Sequence, residues 1–253
     1  MRRPFRDGPR LTRMAAQDRV RWDERYARSG PVTVGAPEPP GILALHADAF
    51  PTTGHALDLA CGQGFGAVWL AHRGLDVRAF DISPVAINQA RELARRSGVV
   101  DRCRFDVFDL DDGLPVGLLS DGPRLSSRSR AHRPGPLSDG PRLSSRSRAH
   151  RPGPLSDGPR LSSRSRAHRP GPLSDWPDAD VILCHKFRDR RLDQAIIERL
   201  APGGLLAIAA LSAVDAAPGP YRVGPGELSA AFAELELVAA GEGQGYAWLL
   251  ARA

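Results

Sequence analysis

The stretch ALDLACGQGFGAVWLA, residues 56–71, decides the fold of this 253-residue chain. Its first residues read as a buried strand, its middle as a glycine-rich turn and its end as a helix. Gly62 and Gly64 are expected to let the backbone approach a ligand closely and to place helix amides around it. With Ala67 in the last position, the turn also fits the G-x-G-x-x-A fingerprint of dinucleotide-binding proteins, a pattern that is unspecific when it stands alone.

The alternation of strand and helix continues beyond this stretch. Strands are predicted at 55–61, 75–81, 103–110, 180–187, 205–211, 235–240 and 246–253. Ser83 is predicted to cap a helix that begins at Pro84, and further helices are predicted at 192–200 and near 227–235. Strands that alternate with helices indicate a doubly wound α/β fold, in which helices cover both faces of a parallel sheet. Ligands of such sheets bind at the carboxyl ends of the strands.

Three acidic residues are predicted to lie at this edge of the sheet. Asp58 comes just before the glycine-rich turn, Asp81 ends the second strand and Asp109 follows the third. Asp58 would repel a pyrophosphate but attract a ligand that carries an ammonium and a sulfonium group. Asp81 is placed to accept hydrogen bonds from ribose hydroxyls, and Asp109 from an adenine amino group. These acids favour S-adenosylmethionine over NAD as the ligand.

Four segments also resemble the motifs of a known family. LDLACGQG (57–64), AFDIS (79–83), FDLDDGLP (108–115) and LAPGGLLAI (200–208) resemble, in order and spacing, the motifs of class I S-adenosylmethionine-dependent methyltransferases. RWDERYA (21–27), followed by residues 56–94, is similar to the tellurite-resistance and thiopurine type of small-molecule methyltransferase within that class. The resemblance covers roughly residues 20–115 and 175–253.

This resemblance implies a Rossmann-like, mostly parallel sheet of seven strands whose last strand is antiparallel. It also implies direct transfer of a methyl group from S-adenosylmethionine to a small-molecule acceptor. Carried over by position, the implied cofactor-binding residues are Asp58, Ala60, Gly62, Gly64, Asp81, Ile82, Asp109 and Leu110. Ala60 departs from the family pattern, because many members have glycine there. Asp106, Asp111 and Asp112 crowd Asp109, and any of them could replace it as the contact.

On the acceptor side, the sequence leaves two interpretations open for Trp22 and Tyr26 and two for His185. Trp22 and Tyr26 lie four apart on a predicted helix, where they form either a packing pair or a lid over the site. His185 and Lys186 end the fourth strand and are expected to face the acceptor. His185 is either a proton acceptor or a structural histidine. No metal is expected.

An 18-residue unit, LSDGPRLSSRSRAHRPGP, occurs three times without a difference over residues 119–172. Its Arg, Ser, Pro and Gly content predicts a disordered insertion between the third and fourth strands. The three copies carry a charge of +9, so the other 199 residues carry −3 although the whole chain carries +6. We expect a disordered tail over 1–18, a helix and connector over 19–50, and a methyltransferase domain over 51–253 that the insertion interrupts.

Composition and patterning narrow the remaining classes of function. No apolar stretch approaches the roughly 20 residues needed to span a membrane, and no secretory signal is recognisable. Three widely spaced cysteines favour reduced thiols in a cytoplasm. Nucleic acid is not an expected partner of the acidic remainder, except weakly through the repeats. Three alternatives stay open: a protein that holds the cofactor without turnover, an NAD-dependent oxidoreductase, and a nucleic-acid-associated protein acting through its arginines.

Overall fold

The computed structural model describes residues 10–30, 41–115, 176–217, 219 and 221–253. The described residues belong to a single unit that combines segments from both sides of the repeats. The repeats themselves, and with them the predicted insertion at 119–172, lie outside the described residues. Within these ranges, no helix combines the length and the apolar character that crossing a bilayer requires.

Strands and helices alternate along most of this unit. The strands are β1 (His55–Leu59), β2 (Asp76–Asp81), β3 (Cys103–Val107), β4 (Ala179–His185), β5 (Leu200–Ser212), β6 (Arg222–Val223), β7 (Glu236–Gly243) and β8 (Tyr246–Arg252). The α-helices are α1 (Arg10–Ser29), α2 (Phe65–His72), α3 (Pro84–Arg96), α4 (Asp193–Arg199) and α5 (Glu227–Ala231). Short 3₁₀ segments lie at Gly41–Ala49, Val100–Arg102, Leu110–Asp112 and Arg190–Leu192.

The strands form one sheet in the order β3-β2-β1-β4-β5-β8-β7, with the two-residue β6 beside β5. The path from β3 to β5 is parallel, and β8 runs antiparallel to both β5 and β7. This confirms the predicted doubly wound sheet with an antiparallel last strand, and β6 adds to the seven strands expected. The strand order reverses direction at β1, between β2 and β4. Ligands of open α/β sheets bind at such a point.

Apolar side chains fill both faces of the sheet. On one face, α2 and α3 bury Val68, Leu70 and Ile87 against β1, β2 and β4. On the other face, Leu57, Phe80, Ile182, Ile196 and Phe232 form a second buried cluster. Because both faces of the sheet are covered, the sequences of β1, β4 and β5 are mostly apolar throughout and do not alternate between apolar and polar residues.

The N-terminal helix is longer than the sequence pattern predicts. Residues 10–18, placed above in a disordered tail, form the first half of α1. Arginine, alanine, methionine and glutamine favour helix, and Asp18 pairs with Arg21 one turn later at 3.9 Å. The prediction relied on apolar periodicity, which is absent from the Arg-rich sequence of residues 10–18. Residues 1–9 lie outside the described ranges.

Several strand boundaries also differ from the prediction, and two of these differences have a visible local cause. β3 ends at Val107 instead of Leu110, because the Asp109 side chain accepts a hydrogen bond from the Asp111 N–H and starts a 3₁₀ turn. β5 begins at Leu200 and runs through the PGG segment predicted to be a turn. A register shift opposite this segment, with Gly203 at φ 77°, accommodates the irregularity as a bulge.

Candidate functional site

The glycine-rich turn after β1 has a left-handed backbone at several positions. Ala60 has φ 56°, a conformation that costs a residue with a Cβ atom roughly 1–2 kcal/mol. Gly62 has φ 53°, and a Cβ atom there would lie 2.8 Å from the Tyr26 hydroxyl. The turn therefore needs glycine at 62 for close approach to α1, and it carries strain at 60, where the family resemblance leads one to expect glycine.

Gly64 packs closely against its neighbours. It precedes α2 with φ 83°, and a Cβ atom there would lie 2.7 Å from Ala90 Cβ and 3.1 Å from a ring carbon of Phe105. It is not among the residues that line the cavity described below. Glycine at 64 thus allows close packing of the turn against α3 and β3, and the contact between Gly64 and a ligand stays a prediction.

Asp58 lies on β1 directly beneath the start of α2. Its side chain is buried, and its Oδ2 atom has no hydrogen-bond partner among the described residues. Burial raises the pKa of Asp58 from 3.8 to about 8; the Ala67 N–H partly offsets this rise, and the Asp81 carboxylate adds to it. A bound cation would stabilise the ionised form of Asp58, because it would offset both the loss of hydration on burial and the repulsion by the Asp81 carboxylate.

Asp81 ends β2 and is also buried, but its oxygens have partners. Its Oδ2 atom accepts a hydrogen bond from the Gly62 N–H at 2.8 Å, and its Oδ1 atom accepts one from the Ser83 N–H at 2.9 Å. Burial raises the pKa of Asp81, and these two amides partly counteract the rise. Each oxygen keeps a further lone pair, so the carboxylate can support the turn and still accept hydrogen bonds from a ligand.

The loop after β3 contributes Asp109 and Leu110. Burial raises the pKa of Asp109, and the Asp111 N–H partly offsets this rise. Leu110 is buried and Ile82, at the end of β2, is half-buried. Together these residues form a mixed apolar and acidic wall beside Asp81. Neither Asp106, which lies 3.7 Å from Arg78, nor Asp112 lines the cavity, whereas Asp111 does.

Helix α1 packs across the beginning of α3 and reaches the turn. Asp23 Oδ1 accepts a hydrogen bond from the Ser83 hydroxyl, and Ser83 in turn caps α3 by accepting from the Ala86 N–H at 3.1 Å. Gln89 donates to the Tyr26 carbonyl at 3.2 Å. Sequence reasoning missed Asp23 and Gln89, although Asp23 lies within the RWDERYA segment quoted above.

Trp22 and Tyr26 are stacked, with ring centroids 5.8 Å apart. Both also line the cavity, so a packing pair and a role at the site are compatible, and the lid stays a prediction. Burial raises the pKa of the Tyr26 hydroxyl, and the neighbouring Asp81 carboxylate adds to the rise. Tyr26 is therefore a neutral hydroxyl beside Gly62 and the two buried acids.

The end of β4 forms the other wall of the cavity. Burial lowers the pKa of His185 to about 4, and the positive charge of Lys186 adds to the effect. The His185 imidazole is therefore neutral near pH 7, and the same low pKa makes it a weak base toward a ligand's proton. Lys186 has φ 63°, and its ammonium lies 5.9 Å from the centre of the Tyr246 ring.

One cavity of about 1250 Å³ joins these groups. Of the predicted site residues, those that line it are Trp22, Tyr26, Asp58, Ala60, Gly62, Asp81, Ile82, Asp109, Leu110, His185 and Lys186. Cavities that hold one drug-sized ligand measure roughly 300–1,000 Å³, so this one has room for a cofactor and a second small molecule. Tyr221 and Tyr246 also line it and were not predicted.

Part of the sequence is similar to known methyltransferases. Residues 56–120 match the family described as a methyltransferase domain. A curated relative, the 2-heptyl-1-hydroxyquinolin-4(1H)-one methyltransferase of Mycobacteroides abscessus, is 34% identical over 89 residues, which are 35% of this chain and 38% of that protein. The chain spans less than two fifths of the length of the curated relatives it matches.

Solved structures of other proteins have a fold similar to that of this chain. A SAM-dependent methyltransferase from Aquifex aeolicus superposes with a TM-score of 0.52 at 12% identity, covering 91% of this chain and 97% of that one. The [4+2]-cyclase SpnF superposes with a TM-score of 0.56 at 14% identity, covering 94% of this chain and 95% of that one. In the sequence of residues 56–120 and in its fold, the chain resembles class I S-adenosylmethionine-dependent methyltransferases.

Proposed function

We propose that this protein binds S-adenosylmethionine and transfers its methyl group to a small-molecule acceptor. The observation that carries the proposal is the pair of buried acids at the carboxyl ends of β1 and β2. Asp58 has an oxygen without a partner in the described part of the chain, and burial raises the pKa of both acids. This site favours a cation. S-adenosylmethionine carries an ammonium and a sulfonium, whereas the pyrophosphate of NAD would bring negative charge to the same place.

The residues around the acids fit the rest of that cofactor. Asp58 would hold the ammonium, and the unused lone pairs of Asp81 would accept hydrogen bonds from the ribose hydroxyls. Ile82 and Leu110 supply apolar contacts for adenine, and Asp109 an acceptor for its amino group. When bound, the cofactor supplies a methyl group made electrophilic by the positive sulfur.

The other cavity residues have roles in positioning the acceptor and excluding water. Trp22 and Tyr26 cover the cavity from α1, which keeps water from the reacting groups. His185 is neutral near pH 7 and would take the proton of a hydroxyl acceptor, whereas an ionised thiol needs no such help. Holding the acceptor in line is itself a large part of catalysis, since effective molarities on the order of 10⁵ M or more arise from positioning alone.

The test is transfer of labelled methyl from S-adenosylmethionine to a panel of thiols, phenols, and selenium and tellurium oxyanions. We expect the parent protein to methylate at least one member. Asp81→Asn should raise the KM for the cofactor about tenfold or more, because it removes a charge-assisted acceptor from the ribose. Thermal unfolding of both proteins checks that the turn is still formed. Tight cofactor binding without transfer to any acceptor would instead support a binding protein without turnover.

A further inference from the structure

The fold divides the cavity into two halves. One half holds three acids: Asp58 on β1, Asp81 at the end of β2 and Asp109 after β3. The other half lies at the ends of β4 and β5. Because β8 is antiparallel to β5, its first residue reaches the same edge of the sheet, where Tyr246 pairs with Leu211. The proposed cofactor contacts leave this second half free for the acceptor. The side chains of this half therefore indicate which chemical groups the acceptor has.

Lys186 is the only lysine of the chain and stands at the end of β4. Its backbone has φ 63°, held by a hydrogen bond of 2.7 Å from its N–H to the Ala209 carbonyl. Backbone strain of this kind persists where the surrounding structure imposes it, and it clusters at functional sites. The side chain is exposed to the open cavity, and no carboxylate of the described residues pairs with it.

Of the four described arginines that line the cavity, three have acidic partners, and the guanidinium carbon of the fourth, Arg25, lies 5.1 Å from the centre of the Trp22 ring. The ion pairs are Arg21 with Asp18, Arg188 with Asp193, and Arg191 with Asp111 and Asp189. Among the described residues, the Lys186 ammonium instead lies over the face of the Tyr246 ring, 5.9 Å from its centre. A cation in this position is available to an anionic ligand.

Three aromatic rings line the same cavity as this cation. Tyr246 lies beneath it, and Tyr221 and Trp22 share Arg21, whose guanidinium carbon lies 5.6 Å from the centre of each ring. Tyr221 is 64% exposed with φ 64°, an unusual conformation for a bulky residue. The cavity thus offers rings for a flat molecule to pack on, together with Lys186, a cation that has no acidic partner among the described residues.

We propose that the acceptor is an aromatic molecule with an anionic group, and that Lys186 selects it by binding that group. This inference rests on the proposed function and specifies its substrate class. The heteroatom of the acceptor forms the new bond to the methyl carbon, and the carbon–sulfur bond breaks with its electron pair remaining on sulfur. The proton of a hydroxyl acceptor leaves to His185 and then to water. Lys186 takes no part in these steps beyond holding the acceptor.

The test compares 4-hydroxybenzoate with 4-hydroxybenzamide, which differ in charge but not in ring. Each is titrated calorimetrically into the full chain saturated with S-adenosylhomocysteine. We expect the carboxylate to bind about tenfold more tightly, with a difference that shrinks at high salt. Lys186→Met should abolish the difference and Lys186→Arg should retain most of it. Arg104→Met, which removes an exposed cation of β3 outside the cavity, should leave it unchanged.

A second readout uses the chain's single lysine. An amine-directed reagent can modify only Lys186 and the N-terminal amine, so mass spectrometry should show 4-hydroxybenzoate protecting Lys186 and the amide protecting it less. Equal binding of the two probes, or binding of neither, overturns the proposal if S-adenosylhomocysteine still binds. Failure of the parent to bind S-adenosylhomocysteine would defeat the proposed function, and this inference with it.

Discussion

Asp58 and Asp81 illustrate how two buried acids at one site come to have different roles. Asp81 accepts hydrogen bonds from Gly62 and Ser83, so it organises the turn even before a ligand arrives. Asp58 leaves one oxygen unpaired among the described residues. Keeping such a group costs stability, which is the usual compromise where binding requires a group that folding does not.

At the residue scale, we predict that Asp58→Asn stabilises the protein while weakening cofactor binding. The pKa of Asp58 is about 8 in the folded protein and near 3.8 in an unfolded chain. The folded state therefore holds an extra proton between these values, and the contribution of Asp58 to stability is lost as the pH rises through this window. Asn cannot ionise, so the variant should be the more stable protein at about pH 8, by at most on the order of 5 kcal/mol.

Urea unfolding of the two proteins at about pH 4 and pH 8 measures this effect. Stability should differ little at the lower pH and clearly at the higher one. Asp101→Asn, which alters an exposed acid after α3, is the matched control and should behave as the parent does. If the free energy of unfolding of Asp58→Asn equals that of the parent at both pH values, the pKa of Asp58 is not raised by burial in the folded protein.

The sequence predicts some site residues well and others poorly, for identifiable reasons. Asp58, Asp81 and Asp109 could be placed together because the carboxyl ends of neighbouring parallel strands meet at one edge of the sheet. Residues at the ends of successive strands are therefore expected to lie close together. The packing role of Gly64 depends on Ala90 and Phe105, which are distant in sequence. No local sequence pattern predicts a contact between residues that are so far apart in the chain.

At the scale of elements, α1 is attached to the fold by its polar contacts to α3. Its start was mispredicted because apolar periodicity is a poor guide to a helix that is mostly exposed. The docking contacts of Asp23 and Gln89 depend on how α1 crosses α3, which no local pattern records. Tyr246, by contrast, could have been found from the expected antiparallel last strand, whose first residue must reach the ligand edge.

We predict that removing residues 1–18 leaves methyl transfer nearly unchanged, whereas removing residues 1–30 abolishes it. The shorter truncation keeps Trp22, Asp23 and Tyr26, which cover the cavity and anchor the helix. The longer one removes them but leaves every strand of the described sheet. The measurement is turnover of each variant beside its thermal unfolding.

Asp23→Ala provides a finer version of the same test. It removes the acceptor of the Ser83 hydroxyl and should lower turnover about tenfold while Ser83 still caps α3. Glu24→Ala removes an exposed acid of α1 that does not line the cavity, and it is the matched control. Full activity in the truncation that lacks residues 1–30 would reduce Trp22 and Tyr26 to packing residues.

At the scale of the whole molecule, the described residues on either side of the repeats supply every strand of the sheet order. We therefore predict that deleting residues 119–172 preserves folding and methyl transfer. The cost of a longer loop rises only with the logarithm of its length, by roughly 0.6 kcal/mol per doubling, so the deletion has little to gain or lose in stability. Cofactor affinity should be equal or higher, since the repeats follow the loop that carries Asp109.

The same deletion changes the net charge of the chain from +6 to −3. Any weak binding to nucleic acid should disappear with it, and that binding in the parent should fall steeply with salt. Gel shift at several salt concentrations, beside turnover of the same samples, gives both answers. A deletion variant that folds but no longer transfers methyl groups would show that the repeats contribute to catalysis.

The central claim is that buried acids at the ends of β1 and β2 hold a cationic cofactor. Calorimetric titration with S-adenosylmethionine at about pH 6.5, in two buffers of different ionisation enthalpy, tests it most directly. Asp58, with a pKa of about 8, must lose its proton to hold an ammonium. The parent should therefore release about one proton per ligand bound, and Asp58→Asn none. NAD should bind more weakly than S-adenosylmethionine. Binding without proton release, or NAD binding as tightly, would contradict the account.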